Sequence, residues 1–498
     1  MTTDCLIALD AGSGAGRSAV FDWEGHLLGS AMEEWTLRVP EDEPLGSEFD
    51  PNEVWAALCR TTRQALEQAG LCSRTVRGVS ATSQRDGVVF LDANGQEIYC
   101  STNRDIRGAL YAEDIARQFG SMIYQVTGRW PLGLDAMARL WWFRLQRPHI
   151  FQRLAHLCMI SDWLIYRLSG QLCSEPTNAS SSMLFDIMEC AWSPELAALA
   201  GSSAEICPPC CMPGTAVGTL TEQAAKALGL PAGIPVAAGA GDSQAACLGC
   251  SAFDDGATTV IAGTTMPLQM VLPHPILDEL HRLHLGAYVV PGRWVLESNA
   301  GLAGASYRWF CEAFVGTGAA AYHKLEREML KARPGEAKAT VGPQIADFHE
   351  LAFPPKSAFV FPYLGGVERP PTRGSLARAI LENIAYAARG NLQQLATASG
   401  LQPDTVNLCG GLARSPLFAQ IVADVCQRKV HVPTVREASS LGAAICAAVG
   451  AGLYPNLVSA ARAMVHWEPT VEPDPANARV YKGLYRQWTH LFEQARQL

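Results

Sequence analysis

Continuous apolar runs separated by glycine turns open the chain, and helical spacing takes over by residue 51. Apolar positions over 5–9, 17–22 and 26–32 predict three strands of a β-meander, broken by the turns Asp10-Ala11-Gly12-Ser13-Gly14 and Glu24-Gly25. Val54, Trp55, Leu58, Ala65 and Leu66 then recur at helical spacing across 51–68. A strand over 76–81 follows, and after it an apolar run over 88–91 that ends in the hairpin signal Asp92-Ala93-Asn94-Gly95. The stretch 106–168 reads as helix-rich, with Leu140, Trp141, Trp142 and Phe143 as candidate core.

The pattern restarts near residue 256. Strands over 258–262 and 266–272 flank Gly263-Thr264-Thr265, and further strands are predicted over 284–290 and 294–298. Behind them come an amphipathic helix over 376–399, a buried strand over 406–409 and a helix over 415–425. Ser415 is the expected N-cap of that last helix, with Pro416 at its first position. Each half thus opens on β-hairpins and continues into alternating helices and strands. This order predicts two related α/β domains, 1–250 and 251–498.

Composition narrows the class without changing the fold. With 498 residues, 48% hydrophobic and 17% charged, the chain reads as an ordinary globular protein of more than one domain. A net charge of −9 speaks against nucleic acid or an anionic membrane as the main partner. No basic segment precedes a long apolar one at the start, so no signal peptide is expected. The uncharged stretch 438–459 is rich in Ala, Gly and Ser and reads as a closely packed helix, not a membrane span. Sixteen cysteines, mostly in apolar segments, read as buried thiols of a cytoplasmic protein. Cys207-Pro208-Pro209-Cys210 and Cys247-Leu248-Gly249-Cys250 have zinc-ligand spacing. The first, however, lies in a proline-rich loop beside Cys211, and the second in a small-residue helix where Cys is an ordinary core residue. The core reading is preferred.

The chemistry concentrates in the glycine turns. Without a Cβ in the way, backbone N–H groups can approach phosphate oxygens. Gly12, Ser13 and Gly14 form one such turn, and Gly263, Thr264 and Thr265 form another in the duplicated position. Asp10, just before the first, is placed to hold Mg2+, and Arg17 to offset phosphate charge. Either turn alone reads more simply as a plain hairpin; the duplication shifts the balance to phosphate. Asp242 ends the apolar run 235–241 ahead of a helix, as a general base for phosphoryl transfer, a helix N-cap, or both. Gly410-Gly411 would bring backbone near a flat or anionic ligand such as adenosine. Together they predict a nucleotide clamped between two lobes.

On these residues the sequence resembles the FGGY carbohydrate kinases, two-domain relatives of hexokinase, Hsp70 and actin, over nearly the whole chain. The first half carries Leu9-Asp10-Ala11-Gly12-Ser13-Gly14 with Arg17, Glu48-Phe49-Asp50-Pro51 with Trp55, and Ser161-Asp162-Trp163-Leu164 with Leu168-Ser169-Gly170. The second half begins from Gly239-Ala240-Gly241-Asp242 and Gly263-Thr264-Thr265. It continues through Phe361-Pro362-Tyr363-Leu364-Gly365 with Glu368-Arg369-Pro370 to Cys409-Gly410-Gly411-Leu412-Ala413-Arg414-Ser415 with Ala423-Asp424. The resemblance implies two ribonuclease H-like α/β domains flanking a cleft, and ATP- and Mg2+-dependent phosphorylation of a sugar or polyol, with a homodimer as the family's suggestion. It implies Asp10 for the metal, and Gly12, Ser13 and Thr264 for the β- and γ-phosphates. Gly410 and Gly411 would face adenosine, and Asp242 would take the proton of the sugar hydroxyl.

The substrate side departs from the xylulokinase pattern of Gln-Met-His-Gly and Trp-x-Asp-x-Arg. Here the two motifs read Gln84-Arg85-Asp86-Gly87 and Asn103-Arg104-Asp105-Ile106-Arg107. With Glu175-Pro176-Thr177-Asn178-Ala179 they are similar to the autoinducer-2 kinases of this family, which phosphorylate the linear form of dihydroxypentanedione. As residues, Gln84, Arg85, Asp86, Asn103 and Asp105 suggest a polar pocket for vicinal hydroxyls and a carbonyl. Arg85 and Asp86 read alternatively as a local surface ion pair. A xylulokinase or other pentulose or polyol kinase is the second assignment. A non-catalytic ATP-binding, sugar-responsive regulator is the alternative of another class, disfavoured by the intact Asp10 and Asp242. After Arg369-Pro370-Pro371 the family's usual aromatic and glycine segment is absent, so a shortened cleft-edge loop is expected near residue 372.

Overall fold

Two six-stranded sheets built on one plan organise the chain, seen in a computed structural model that describes residues 4–349, 356–361 and 370–497. The first half runs β1 (Cys5–Ala11), β2 (Ala15–Asp22), β3 (Leu27–Glu34), α1 (Pro51–Ala69), β4 (Val76–Ser83), β5 (Val88–Leu91), β6 (Glu97–Ser101), α2 (Ala109–Thr127), α3 (Ala136–Gln146), β7 (His156–Met159), α4 (Ile160–Ser169), β8 (Ala216–Thr219), β9 (Pro235–Ala237) and α5 (Asp242–Leu248). The second runs β10 (Thr258–Ile261), β11 (Pro267–Leu272), β12 (His284–Ala287), β13 (Trp294–Asn299), α6 (Gly304–Phe314), α7 (Ala319–Met329), α8 (Arg373–Ser399), β14 (Thr405–Cys409), α9 (Pro416–Cys426), β15 (Lys429–His431), α10 (Ala438–Gly450), α11 (Leu457–Met464) and α12 (Pro475–Gln497).

The first sheet is ordered β8-β9-β4-β1-β2-β3 and the second β12-β13-β11-β10-β14-β15. In both, the opening hairpin pairs antiparallel, and the first strand of that hairpin also pairs parallel with a later one: β1 with β4, and β10 with β14. The central strand β1 reads Cys-Leu-Ile-Ala-Leu through 5–9 because both its faces are covered, which removes the polar alternation of a half-solvated strand. Asp50 caps α1 by accepting from the Asn52 and Glu53 amides, and Ser415 caps α9 by accepting from Phe418, as its sequence position predicts.

Four expectations are corrected. The helix-rich stretch 106–168 also contains β7, which pairs with β5 in a separate five-stranded sheet. Helix α8 is not amphipathic but buried nearly all round, because it packs against β11 and β13 on one side and α12 on another. The stretch 438–459 breaks into α10 and the start of α11. Not every cysteine is a thiol: Cys173 and Cys211 form a disulfide, brought together where Ser174 N–H donates to the Pro209 carbonyl and Cys211 N–H to that of Ser174. Of the CxxC pairs, Cys207 lies in the core around β5 and α3, while Cys247 lies in the core around α5 and α10. The motif from Phe361 to Pro370 falls largely at 362–369, outside the described residues. Past it, Pro370 and Pro371 lead straight to Thr372, the N-cap of α8, so among the described residues no extended loop stands near residue 372. Among the described residues no helix is long and apolar enough to cross a membrane.

Helix α10 follows the second sheet in sequence yet packs on β1 and β4 of the first and against α5. The two helices meet at glycine: a Cβ on Gly442 would fall 2.0 Å from the Ala245 carbonyl oxygen, and one on Gly249 2.1 Å from that of Ala438. Such backbone contact admits no side chain. The packing brings the start of α10 over the end of β1, where the candidate chemistry lies.

Candidate active site

Three parallel strands of the first sheet end side by side. Asp10 on β1 is level with Thr82 on β4, Ala11 with Ser83, and Ser83 bridges to Gly241 beyond β9. The Thr82 hydroxyl donates to the Ala240 carbonyl at 2.7 Å and locks the third strand end to the second. Ligands of open α/β sheets bind at such carboxyl ends. In the second sheet Ile261 of β10 is level with Cys409 of β14, so the turns that follow are neighbours. Gly410 has φ +89°, and a Cβ there would lie 2.8 Å from the Ala262 carbonyl, so the Gly410-Gly411 turn and the Gly263 hairpin form one surface. Thr264 and Thr265 stand exposed on it.

The first glycine turn is braced by the substrate-side candidates. The Ser13 hydroxyl donates to Asn103 Oδ1 at 2.9 Å, the Asn103 amide to Gln84 Oε1 at 3.0 Å, and Gln84 Nε2 to the Gly12 carbonyl at 3.1 Å. Asp10 accepts from the Ser439 and Ser440 hydroxyls of α10 at 2.7 and 3.4 Å. Burial pushes its carboxyl above the usual range, against those hydroxyls and Arg17. A carboxylate whose charge is so poorly solvated fits a divalent cation, and Mg2+ typically takes one or two protein carboxylates and leaves the rest to phosphates and water. Arg17, expected to offset phosphate charge, is instead paired with Glu437 at 3.0 Å, a residue that Arg414 also contacts.

Asp242 is the first residue of α5. The N-cap position belongs to Gly241 and no side chain caps the helix, so the capping alternative fails. The carboxylate accepts from the Ser243 hydroxyl at 3.2 Å and otherwise stands open, with 39% of the side chain exposed. The surrounding protein still raises its pKa to about 6 by burial. Arg85 opposes that shift and the nearby charge of Asp10 adds to it. Behind it, Glu175 accepts from the Thr177 hydroxyl and amide and from the Asn178 amide, while Thr177 Oγ1 accepts from Gly241 N–H at 2.8 Å. Asn178 reaches the Ser83 and Ser161 hydroxyls. The 175–179 motif therefore buttresses the strand ends that carry Asp242.

Arg85 and Asp86 are not a local surface pair. Arg85 reaches across to β13 and grips Glu297 with two bonds of 2.5 and 2.9 Å, while its Nε lies 3.8 Å from Asp242. Gln269 adds a third donor to Glu297 at 2.8 Å. Asp86 has φ +66° and faces Arg129 at 3.4 Å, and its carbonyl accepts from Arg139. Strained non-glycine backbone of this kind concentrates at functional sites. Asp105, expected in the pocket, is not there. It is wholly buried and accepts from Ser47 N–H, the Tyr99 hydroxyl, and the Arg107 amide and guanidinium. It is a structural node. Glu297, Gln269, Arg129, Asp135, Arg139 and His284 gather around Arg85 and Asp86 without any motif to announce them.

The duplicated sheets, each with a glycine turn after its first strand and joined by the Arg85–Glu297 pair, have the architecture of a two-lobed α/β phosphotransferase. The sequence matches the FGGY family of carbohydrate kinases, its N-terminal domain over residues 5–249 and its C-terminal domain over 258–451. The chain belongs to this family. It is 34% identical over 505 residues to an autoinducer-2 kinase of Salmonella typhimurium, covering 99% of this chain and 95% of that one. It is also 34% identical over 511 residues to one of Escherichia coli K12, covering 98% and 94%. A solved xylulose kinase from Rhodospirillum rubrum superposes with a TM-score of 0.83 at 25% identity, covering 98% of each chain. The protein is a carbohydrate kinase, a phosphotransferase with an alcohol acceptor and ATP as donor.

Proposed function

We propose that this kinase phosphorylates dihydroxypentanedione, the linear form of autoinducer-2, with a pentulose such as xylulose as the second choice. The observation that carries this reading is the 34% identity to autoinducer-2 kinases along 99% of the chain. It is supported by Arg85-Asp86 and Asn103 standing where xylulokinases have a histidine and a tryptophan.

In this reading Asp242 is the general base. Its carboxyl, at about 6, is ionised at neutral pH and accepts the proton of the acceptor hydroxyl as that oxygen attacks the γ-phosphorus of ATP. One phosphorus–oxygen bond forms, the bond to the β–γ bridging oxygen breaks, and ADP leaves. The N–H groups of Ser13 and Gly14 and the hydroxyls of Thr264 and Thr265 face the phosphates and stabilise charge on the transferred group. Gly12 and Gly263, whose own N–H groups donate to the Ala15 and Thr265 carbonyls, shape the two turns. Gly410 and Gly411 seat the adenosine. Mg2+, held through Asp10, would neutralise phosphate charge. Segment 1–250 supplies the acceptor side and the first phosphate turn, and 251–498 the second turn and the adenosine side. The Arg85–Glu297 pair joins the two lobes beside Asp242, so that closure on substrates can exclude water there.

The test is ADP release by the purified protein with ATP and Mg2+ on dihydroxypentanedione, D-xylulose, D-ribulose, glycerol and erythritol. Preference for dihydroxypentanedione is expected. Preference for xylulose would replace the first substrate by the second, and ATP binding without turnover on any compound would favour a regulator.

A further inference from the structure

Polar atoms left without a partner inside a protein are few, and each invites an explanation. Among the described residues four of them belong to one neighbourhood: Arg129 Nε, Asp135 Oδ1, Arg139 Nε and His284 Nε2. Arg129 is the common neighbour, since its charge acts on both Asp135 and His284, and its guanidinium faces Asp86. The residues are 5%, 1%, 0% and 2% exposed. They gather around Asp86, whose backbone is strained, and His284 also feels the charge of Arg85, which lies 3.8 Å from Asp242.

We infer that Arg129, Asp135 and His284 form the subsite that recognises the carbonyl-bearing end of the acceptor while its hydroxyl end meets Asp242. The inference rests on the kinase reading above and deepens it. Arg129 Nε–H can only donate. Asp135 uses one oxygen to accept from Leu132 N–H, and burial raises its carboxyl above the usual range, which favours the protonated form that can donate. His284 is stacked on Phe348 at 3.6 Å and lies near the guanidiniums of Arg129 and Arg85. Burial first, and those cations second, hold its ring neutral, with a nitrogen free to donate. A cluster rich in donors and short of acceptors suits a carbonyl oxygen, which takes two hydrogen bonds and brings no proton of its own. A hydroxyl in the same place adds a donor that needs its own acceptor.

The test compares turnover of dihydroxypentanedione and D-xylulose with that of xylitol, which lacks the carbonyl, in the wild type and in His284→Phe. Phenylalanine keeps a ring to stack on Phe348 and removes both ring nitrogens, with a slightly larger ring in their place. The wild type is expected to prefer the carbonyl compounds, and His284→Phe to lose about tenfold or more of that preference in kcat/KM. The KM for ATP and the thermal midpoint should hold, because the lost atom has no partner in the free protein. His284→Gln, with an amide near the Nε2 position, should restore part of the preference. Arg129→Lys keeps a cation beside Asp86 but lacks Nε–H. It should lose preference likewise, and it decides the matter if the phenylalanine variant does not fold. Unchanged preference in these variants would overturn the inference and leave the kinase reading standing. A wild type that turns over neither carbonyl compound would overturn both.

Discussion

Removing the charge of Glu297 tests whether the two lobes meet in the free protein as they do here. Arg85 and Glu297 come from opposite sheets, their side chains only 12% and 5% exposed, joined by two hydrogen bonds. Breaking a buried pair from one side costs about 3–5 kcal/mol, because the remaining charge is stranded. Here the stranded guanidinium keeps Asp242 at 3.8 Å as a second anion, so the lower end, about 3 kcal/mol, is expected for Glu297→Gln. Replacing both partners, Arg85→Met with Glu297→Met, should recover most of that loss, since two well-packed apolar side chains strand nothing. Urea denaturation of the wild type, Glu297→Gln and the double variant reads both effects. A second consequence has a definite sign. In the wild type Asp242 sits at about 6, and it serves as base only when ionised, so activity should rise with pH through that value and level off above it. In Glu297→Gln the Arg85 charge is no longer shared, Asp242 holds its proton less tightly, and the acid limb moves to lower pH. A loss under about 1 kcal/mol, the range of solvent-screened pairs, together with an unmoved limb, would show that the pair is not closed in solution.

Two further substitutions separate scaffold from site. Asp105→Asn should cost about 2–4 kcal/mol in denaturant unfolding, because a donor amide replaces a carboxylate that receives only donors, yet leave the KM for the acceptor within about twofold. A large KM change at unaltered stability would return Asp105 to the pocket. Gly410→Ala forces an alanine to φ +89° with its Cβ 2.8 Å from Ala262. It should lower stability by about 2 kcal/mol and raise the KM for ATP rather than for the acceptor. Unaltered ATP affinity would remove this turn from the nucleotide site.

Much of the fold is legible because its signals are local. The hairpin turns at Gly12 and Gly263, the β1 and β10 runs, and the Ser415-Pro416 helix start each announce themselves within a few residues. Asp10 and Asp242 stand out because a carboxylate closing an apolar strand has little structural reason to be there. What escaped was set by distant partners. Strand β7 hides in a helix-rich stretch because only pairing with β5 makes His156–Met159 extended. The α8 helix carries Arg378, Glu382 and Asn383, which look like a solvent face until Tyr481 and Trp488 of α12 cover them. Glu297 resembles an outward residue of an alternating strand, and only Arg85, 212 residues away in sequence, turns it into a crevice group. Asp105 was misplaced for the converse reason. Its motif lies beside the site, but Ser47, Tyr99 and Arg107 claim its oxygens.

The most direct test of the central claim, that Asp242 is the base of an acceptor-directed kinase, is single-turnover transfer from radiolabelled ATP to dihydroxypentanedione by Asp242→Asn. The amide keeps the size of the side chain at the start of α5 and cannot accept the proton as a carboxylate does. The expected result is unchanged ATP binding with transfer slowed about a thousandfold. Transfer within a few fold of the wild-type rate would contradict the assignment and place the proton acceptor elsewhere in the crevice.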